Sequence, residues 1–309
     1  MAREDQPAEV HMSAVETLAT RRLSRRQLLK YAGIGAGALA VPGVWSAVAS
    51  AERIPAATPL PPWNHDPTSP IGPLHWGTIG YPVCASGMAQ SPIDIVDYAF
   101  RPYSGPSVAL NYEESELEIE NTGHVFEVVI PAGATNTLTA NGVTYPLVQY
   151  HFHVPSEHKV NGRAADLEAH FVHTTSSGET AVLGVLYNVG PEPNEVLDRI
   201  ILSAPAVAGQ TLTGGEANPA DLLPDNFTGT GDYHVGNFYT YAGSLTTPGC
   251  TEGVRWVVMR NGGEISQAAV NRFHRAISHF PNYAGYASNT RPVQPLNGRT
   301  IGFSNMGNG

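Results

Sequence analysis

The chain has 309 residues and a formal net charge of -10 at neutral pH. Residues 1–49 hold six Lys or Arg and four Asp or Glu, so the remainder carries 11 basic against 23 acidic groups, a net of -12. An acidic domain is a poor partner for nucleic acid or an anionic membrane, and about 260 residues suit a single core.

Residues 1–20 are polar and unpatterned. Ser24-Arg25-Arg26-Gln27-Leu28-Leu29-Lys30 then leads into an apolar run from Tyr31 to Ala49, rich in Gly and Ala and broken by Pro42. This pattern is a twin-arginine export signal over residues 1–49, with a second pair at Arg21-Arg22 and a small-residue cleavage pattern at Ala47-Val48-Ala49. The competing reading is a membrane anchor. The glycines, the proline and the cleavage pattern argue against it, so the expectation is a periplasmic or secreted protein with no stable anchor. Gly33-Ile34-Gly35-Ala36-Gly37 imitates a nucleotide-binding loop, but no strand precedes it.

Residues 50–73 contain seven prolines and read as a stiff, extended linker. The folded domain is expected over 74–301, with a frayed tail at 302–309. From Val108 to Val148 the pattern is β. Leu117 and Ile119 alternate with Glu116, Glu118 and Glu120, Asn121-Thr122-Gly123 makes a turn, and His124 to Ile130 resumes as a strand. Asn141-Gly142 signals a hairpin. Residues 190–236 read as loop-rich, with one short helix around Glu195 to Ile200. Phe238 to Leu245 and Val254 to Met259 read as strands, and Ser266 caps a helix that runs to Phe280-Pro281.

The chemistry centres on Gln149-Tyr150-His151-Phe152-His153-Val154-Pro155-Ser156-Glu157-His158. On a strand, Gln149, His151 and His153 share one face, and Tyr150, Phe152 and Val154 share the other. A second strand, Leu167 to His173, puts Glu168 and His170 on one face. Three imidazoles from two strands make a three-ligand zinc site with one open position. A His-x-His pair alone is weak support, since two satisfied strand histidines give the same pattern. Gln149 and Glu168 strengthen the metal reading, because each stands two residues before a ligand and can accept its other ring N–H. His65, His234, His274 and His279 read as surface or loop residues. His173 lies on the opposite face from His170.

These stretches occur in one order with His75-Trp76-Gly77, Gln90-Ser91-Pro92-Ile93-Asp94-Ile95, Asn121-Thr122-Gly123-His124, Ala181-Val182-Leu183-Gly184, Ser244-Leu245-Thr246-Thr247-Pro248 and Arg255-Trp256. Over roughly residues 70–300 the chain resembles the α-class carbonic anhydrases, a family used as a worked example of zinc chemistry. The resemblance implies a mainly β fold: a large twisted, mostly antiparallel central sheet with a few short peripheral helices. It implies reversible hydration of carbon dioxide to bicarbonate and a proton through zinc-bound hydroxide. His151, His153 and His170 would hold Zn2+, Thr246 and Glu157 would orient the nucleophile, and His124 would shuttle protons. Val172, Val182, Leu245, Val254 and Trp256 would wall the substrate pocket, with Thr247 on its polar side.

The resemblance further places His158 and His173 in buried hydrogen-bond networks. It pairs Cys84 with Cys250, where the residues alone also allow two buried thiols. Carbon dioxide and bicarbonate are the expected partners, with the chain a monomer or homodimer. Hydrolysis of small esters at the same site, or a non-catalytic binding module, are the alternatives. Two departures stand out: Thr78, where many members have a tyrosine near the water chain, and Glu127, where others have a neutral amide. A carboxylate at Glu127 is expected to raise the pKa of His124.

Overall fold

A computed structural model describes residues 60–96, 99–105, 108–224, 233–235 and 237–305. The export signal expected over residues 1–49 lies outside them. Among the described residues no helix is long and apolar enough to cross a membrane.

The strands in chain order are β1 (Asp94–Ile95), β2 (Phe100–Pro102), β3 (Val108–Asn111), β4 (Ser115–Asn121), β5 (Phe126–Val129) and β6 (Thr137–Ala140). They continue with β7 (Val143–His153), β8 (Lys159–Val160), β9 (Arg163–Ala164), β10 (Leu167–Thr174), β11 (Thr180–Val189) and β12 (Thr211–Ala217). The last are β13 (Tyr233–Val235), β14 (Asn237–Ser244), β15 (Glu252–Met259), β16 (Gly263–Ile265) and β17 (Ile301–Asn305). Among the described residues three short α-helices accompany them, α1 (Val83–Ser86), α2 (Glu195–Ser203) and α3 (Gln267–Ile277), with a 3-10 turn at Pro219–Leu222.

The fold is mainly β, built on one large mixed sheet. Its main path runs β12-β4-β5-β7-β10-β11-β15-β14-β17-β2. Most neighbours on it are antiparallel, while β11–β15 and β17–β2 are parallel. The two longest strands, β7 and β11, flank β10 at its centre. Alternation divides their side chains between two layers. Tyr150, Phe152, Leu167, Ala169 and Phe171 enter the major core, where α2 adds Leu197, Ile200 and Ile201 and α3 adds Val270, Phe273 and Ile277. The opposite face of the sheet carries His151, His153 and His170 and a smaller apolar cluster that includes Val182 of β11 and Val254 and Trp256 of β15. The helices therefore cover one face and leave the other for chemistry.

Local signals act as their chemistry requires. Asn141 and Gly142 have φ values of 52° and 77° and join β6 to β7, as a primed hairpin turn demands. Ser266 Oγ accepts from Ala269 N–H at 3.1 Å and caps α3. The loop-rich reading of 190–236 passed over β12, whose exposed residues pair with β4. An edge strand with Gly214 and Gly215 and no buried alternation gives little period-2 signal.

Two boundaries differ from expectation. The described part of the 50–73 linker belongs to the fold: Asn64 is 2% exposed, His65 is fully buried, and the Trp76 indole donates to the carbonyls of Asn64 and Ile71. Proline density marks a stiff chain but does not say whether an apolar surface accepts it. At the other end β17 extends to Asn305 on β14, so the sheet takes up the first part of the expected tail at 302–309.

Cys84 and Cys250 form a disulfide across 166 residues. It ties α1 to the turn that follows Thr246-Thr247, where Cys250 N–H donates to the Thr247 carbonyl.

Candidate metal centre

Strand register builds the site. In the β7–β10 pairing His151 stands directly opposite His170, and His153 opposite Glu168. Residues directly opposite in an antiparallel pair share a face. One row therefore crosses the sheet through Glu120, Glu127, His151, His170 and Gly184. Gly184 matters here because a Cβ would lie 3.0 Å from Glu168 Oε1 and crowd the carboxylate behind His170.

Each candidate ligand has one ring nitrogen committed to an acceptor. His151 Nδ1 meets Gln149 Oε1 at 2.8 Å, His153 Nδ1 meets the Asn289 carbonyl at 2.8 Å, and His170 Nε2 meets Glu168 Oε1 at 2.9 Å. An acceptor takes the ring proton, so the opposite nitrogen presents a lone pair. The ligand atoms lie within 4.8 Å of one another. Burial, then the neighbouring imidazoles, holds His151 well below the usual imidazole range, and burial also lowers His153. Both are neutral at pH 7, as ligands must be.

The donor set fits a zinc ion. His153 Nε2 is buried without a hydrogen-bond partner, and so is Glu157 Oε2. That carboxylate oxygen stands 3.6 Å from His153 Nε2 and 3.9 Å from His170 Nδ1. Converging lone pairs beside a buried anionic oxygen are costly unless a cation sits among them. Three imidazoles at this separation are a zinc set.

Behind the ligands the polar groups are nearly all satisfied. Glu168 Oε2 accepts from the backbone N–H of Glu157 at 2.9 Å and of His158 at 2.8 Å, and Oε1 accepts from the rings of His158 and His170. Burial alone would raise the Glu168 carboxyl, but those imidazoles and their hydrogen bonds outweigh it and hold it well below the usual range. A second His/Glu group, His158, Glu168 and His170, also has metal-like spacing. Its atoms are already spent on each other and on the Tyr241 hydroxyl.

Thr246 is 5% exposed, but its expected bond to Glu157 is not made. Glu157 Oε1 accepts from Arg291 N–H at 2.8 Å, and Oε2 faces the ligand histidines instead. Val172, Val182, Leu245, Val254 and Trp256 pack in one apolar cluster, where only Val172 and Leu245 remain half-buried. Thr247 is half-buried beside them in sequence. The Trp256 ring stands edge-on to His170 at 4.8 Å between centroids and acts as a wedge behind that ligand.

His124 lies flat on Trp63, with ring centroids 3.8 Å apart and planes at 7°. Its Nδ1 is 3.3 Å from the Tyr283 hydroxyl. Burial holds its pKa at about 4. Glu127 does not raise it; that carboxyl is itself pushed up to about 7, by burial and then by Glu120 directly opposite. Thr78 is exposed and its hydroxyl donates to the His75 carbonyl. His65, read from sequence as a surface residue, is fully buried beside His153. His173 lies on the other face with its Nε2 on the Tyr112 hydroxyl, where burial drops its pKa to about 3.

Sequence reasoning missed Asn289, Arg291, Tyr283 and Trp63. Asn289 supports the ligands most: its carbonyl holds His153, and its amide bonds Val154 N–H and the carbonyls of Phe152 and His124. A backbone carbonyl can come from any residue, so only the fold reveals it.

The family model for eukaryotic-type carbonic anhydrase matches residues 71–305. A carbonic anhydrase of Neisseria gonorrhoeae is 40% identical over 243 residues, covering 77% of this chain and 86% of the relative. Among solved structures, an α-carbonic anhydrase of Thermovibrio ammonificans superposes with a TM-score of 0.68 at 36% identity, covering 77% of this chain and 97% of that one. The α-carbonic anhydrase of Photobacterium profundum gives 0.67 at 38% identity, covering 78% and 99%. With this fold, this ligand set and these relatives, the chain belongs to the eukaryotic-type, α-class carbonic anhydrases.

Proposed function

We propose that the His151, His153 and His170 centre holds zinc for the reversible hydration of carbon dioxide, and that Thr246, Glu157 and His124 divide the remaining work. The observation that carries this reading is the set of three lone pairs, each fixed by an acceptor on the other ring nitrogen. Bound zinc supplies Lewis acidity, which brings the ionisation of water down to near neutral pH.

Glu157 is the fixed end of the orienting pair. With Oε1 occupied by Arg291 N–H, its buried Oε2 is an acceptor awaiting a donor. A hydroxyl that reaches Oε2 must donate its proton there and can only accept on its other side. Thr246 is the hydroxyl assigned to that place, and this orientation aims the nucleophile at carbon. Val172 and Leu245 offer the half-buried apolar surface on which an uncharged linear substrate displaces water. His124 exchanges protons with solvent. Lying on Trp63 its pKa of about 4 suits release of a proton, and uptake near neutral pH requires the ring to turn toward water.

The test is His170→Ala, read by zinc content and stopped-flow hydration. Loss of both is expected; full zinc with full activity overturns the assignment. Ester hydrolysis on the same samples separates the side reaction.

The disulfide fits an extracytoplasmic protein. The twin-arginine route is our reading of Arg25-Arg26. Changing both to Lys should leave precursor in the cytoplasm, and normal export of that variant would refute the route.

A further inference from the structure

His65 is fully buried, and the site described above does not use it. Its Nδ1 lies 2.5 Å from the Tyr283 hydroxyl, and its Nε2 has no hydrogen-bond partner. The same hydroxyl is 3.3 Å from His124 Nδ1. One phenol oxygen thus stands between two imidazoles, from residues 159 positions apart on one side and 218 on the other. Trp63 closes the arrangement, stacked on His124 and edge-on to His65 at 5.1 Å between centroids.

A phenol has one proton to donate and can accept in return. We propose that Tyr283, backed by His65, is a positioning residue for His124, a reversible hydrogen-bond partner that can meet its ring on Trp63 in either protonation state, between turns of that ring toward water. The inference rests on the reading of His124 as the proton-exchanging group. When His124 Nδ1 is unprotonated, the Tyr283 hydroxyl donates to it and accepts from His65 in its Nδ1–H tautomer. When His124 is a cation, its Nδ1–H donates to the Tyr283 oxygen, and the Tyr283 proton turns to His65 Nδ1. His65 is what makes the second state possible, because it offers that proton an acceptor. Without it, Tyr283 O–H would oppose the cation, donor against donor.

The pieces suit this role. Burial pushes the Tyr283 hydroxyl far above the usual phenol range, so it stays protonated. Neutral His65 has one ring proton, and because its Nε2 is buried without a partner that proton can sit on either nitrogen, so Nδ1 can donate or accept. The groups around the His124 ring are Tyr283, His65 behind it, and the uncharged indole of Trp63. Asn289 fixes the His124 backbone by donating to its carbonyl at 3.1 Å, which leaves only the ring to move.

The experiment is histidine NMR titration of His124 in the zinc-loaded protein, on wild type, His65→Leu, His65→Asn and Tyr283→Phe. His65→Leu leaves Tyr283 no acceptor except His124, so the His124 pKa should fall by about one unit. Tyr283→Phe removes the partner and frees the ring toward water, so the pKa should rise toward about 6.5. His65→Asn keeps an acceptor oxygen near the place of Nδ1 and should stay within about 0.3 unit of wild type. Opposite shifts with rescue by Asn support the proposal. An unchanged pKa in both His65→Leu and Tyr283→Phe, or shifts of the same sign, overturns it. Should His65→Leu fail to fold, His65→Asn and Tyr283→Phe still decide: equal shifts in the two refute the role. The NMR readout does not depend on turnover. If His124→Ala leaves buffer-limited kcat intact, the shuttle reading fails while the positioning result stands.

Discussion

The floor of the site and its rim are built differently. On the floor, every candidate ligand is fixed through its second nitrogen by a partner within 2.9 Å, and Glu168 alone receives four hydrogen bonds. At the rim, His124 rests on an indole face and a single 3.3 Å contact to a hydroxyl. Lone pairs aimed at a metal must not move, and their orientation is set in strands flanked on both sides. A group that picks up protons must change partners, so it is held by contacts that survive a change of charge. Rigid floor and adjustable rim share one chain because β7 lies at the sheet centre, while His124 precedes β5 in a turn.

If this contrast is right, floor substitutions should act on metal and carbon chemistry, and rim substitutions on proton traffic. The largest effects belong to the floor. Glu168→Gln replaces an all-acceptor group with one that turns a donor toward N–H groups, and zinc affinity should fall by roughly 100-fold in chelator competition. Thr246→Ala should keep zinc but lower kcat/KM by roughly 100-fold in stopped-flow hydration, since the nucleophile loses its aim. An unaltered kcat/KM would remove Thr246 from the mechanism.

The rim should respond less and in another parameter. His124→Ala should lower kcat by about tenfold or more in weak buffer, with kcat/KM little changed and partial rescue by added imidazole. An equal loss of kcat/KM would erase the difference between the regions.

The smallest effect concerns Glu127, which sits in the row where floor meets rim. Its folded pKa of about 7 lies above the ordinary value of 4.5. The raised value means that its contribution to stability is fully present below about pH 4.5 and is lost as pH rises through 7. Glu127→Gln should therefore raise Tm by roughly 2–4 °C at pH 8 relative to wild type and give no such gain at pH 5. A gain of equal size at both pH values would show that packing, not ionisation, is responsible.

Much of the floor was legible from the sequence. Strand alternation placed His151, His153 and Gln149 on one face and Glu168 with His170 on another, and period 2 leaves no other choice once strands form. The rim was not legible. His65 looked like a loop residue because it sits among prolines, yet it is buried against Trp76 and Tyr283. Glu127 was expected to act on His124, but the register pairs it with His151 and Glu120.

What the sequence by itself determined was local: which side chains share a strand face, where Asn141-Gly142 turns, where Ser266 starts a helix, and the family of the whole. Tertiary structure alone decided which distant groups complete the site. Those are the Asn289 carbonyl on His153, the Arg291 N–H on Glu157, and the Tyr283 hydroxyl between His65 and His124. The reason is physical. Periodicity fixes direction along a chain, whereas a hydrogen bond across more than 130 residues exists only after packing has excluded water and brought both ends within 3 Å or so.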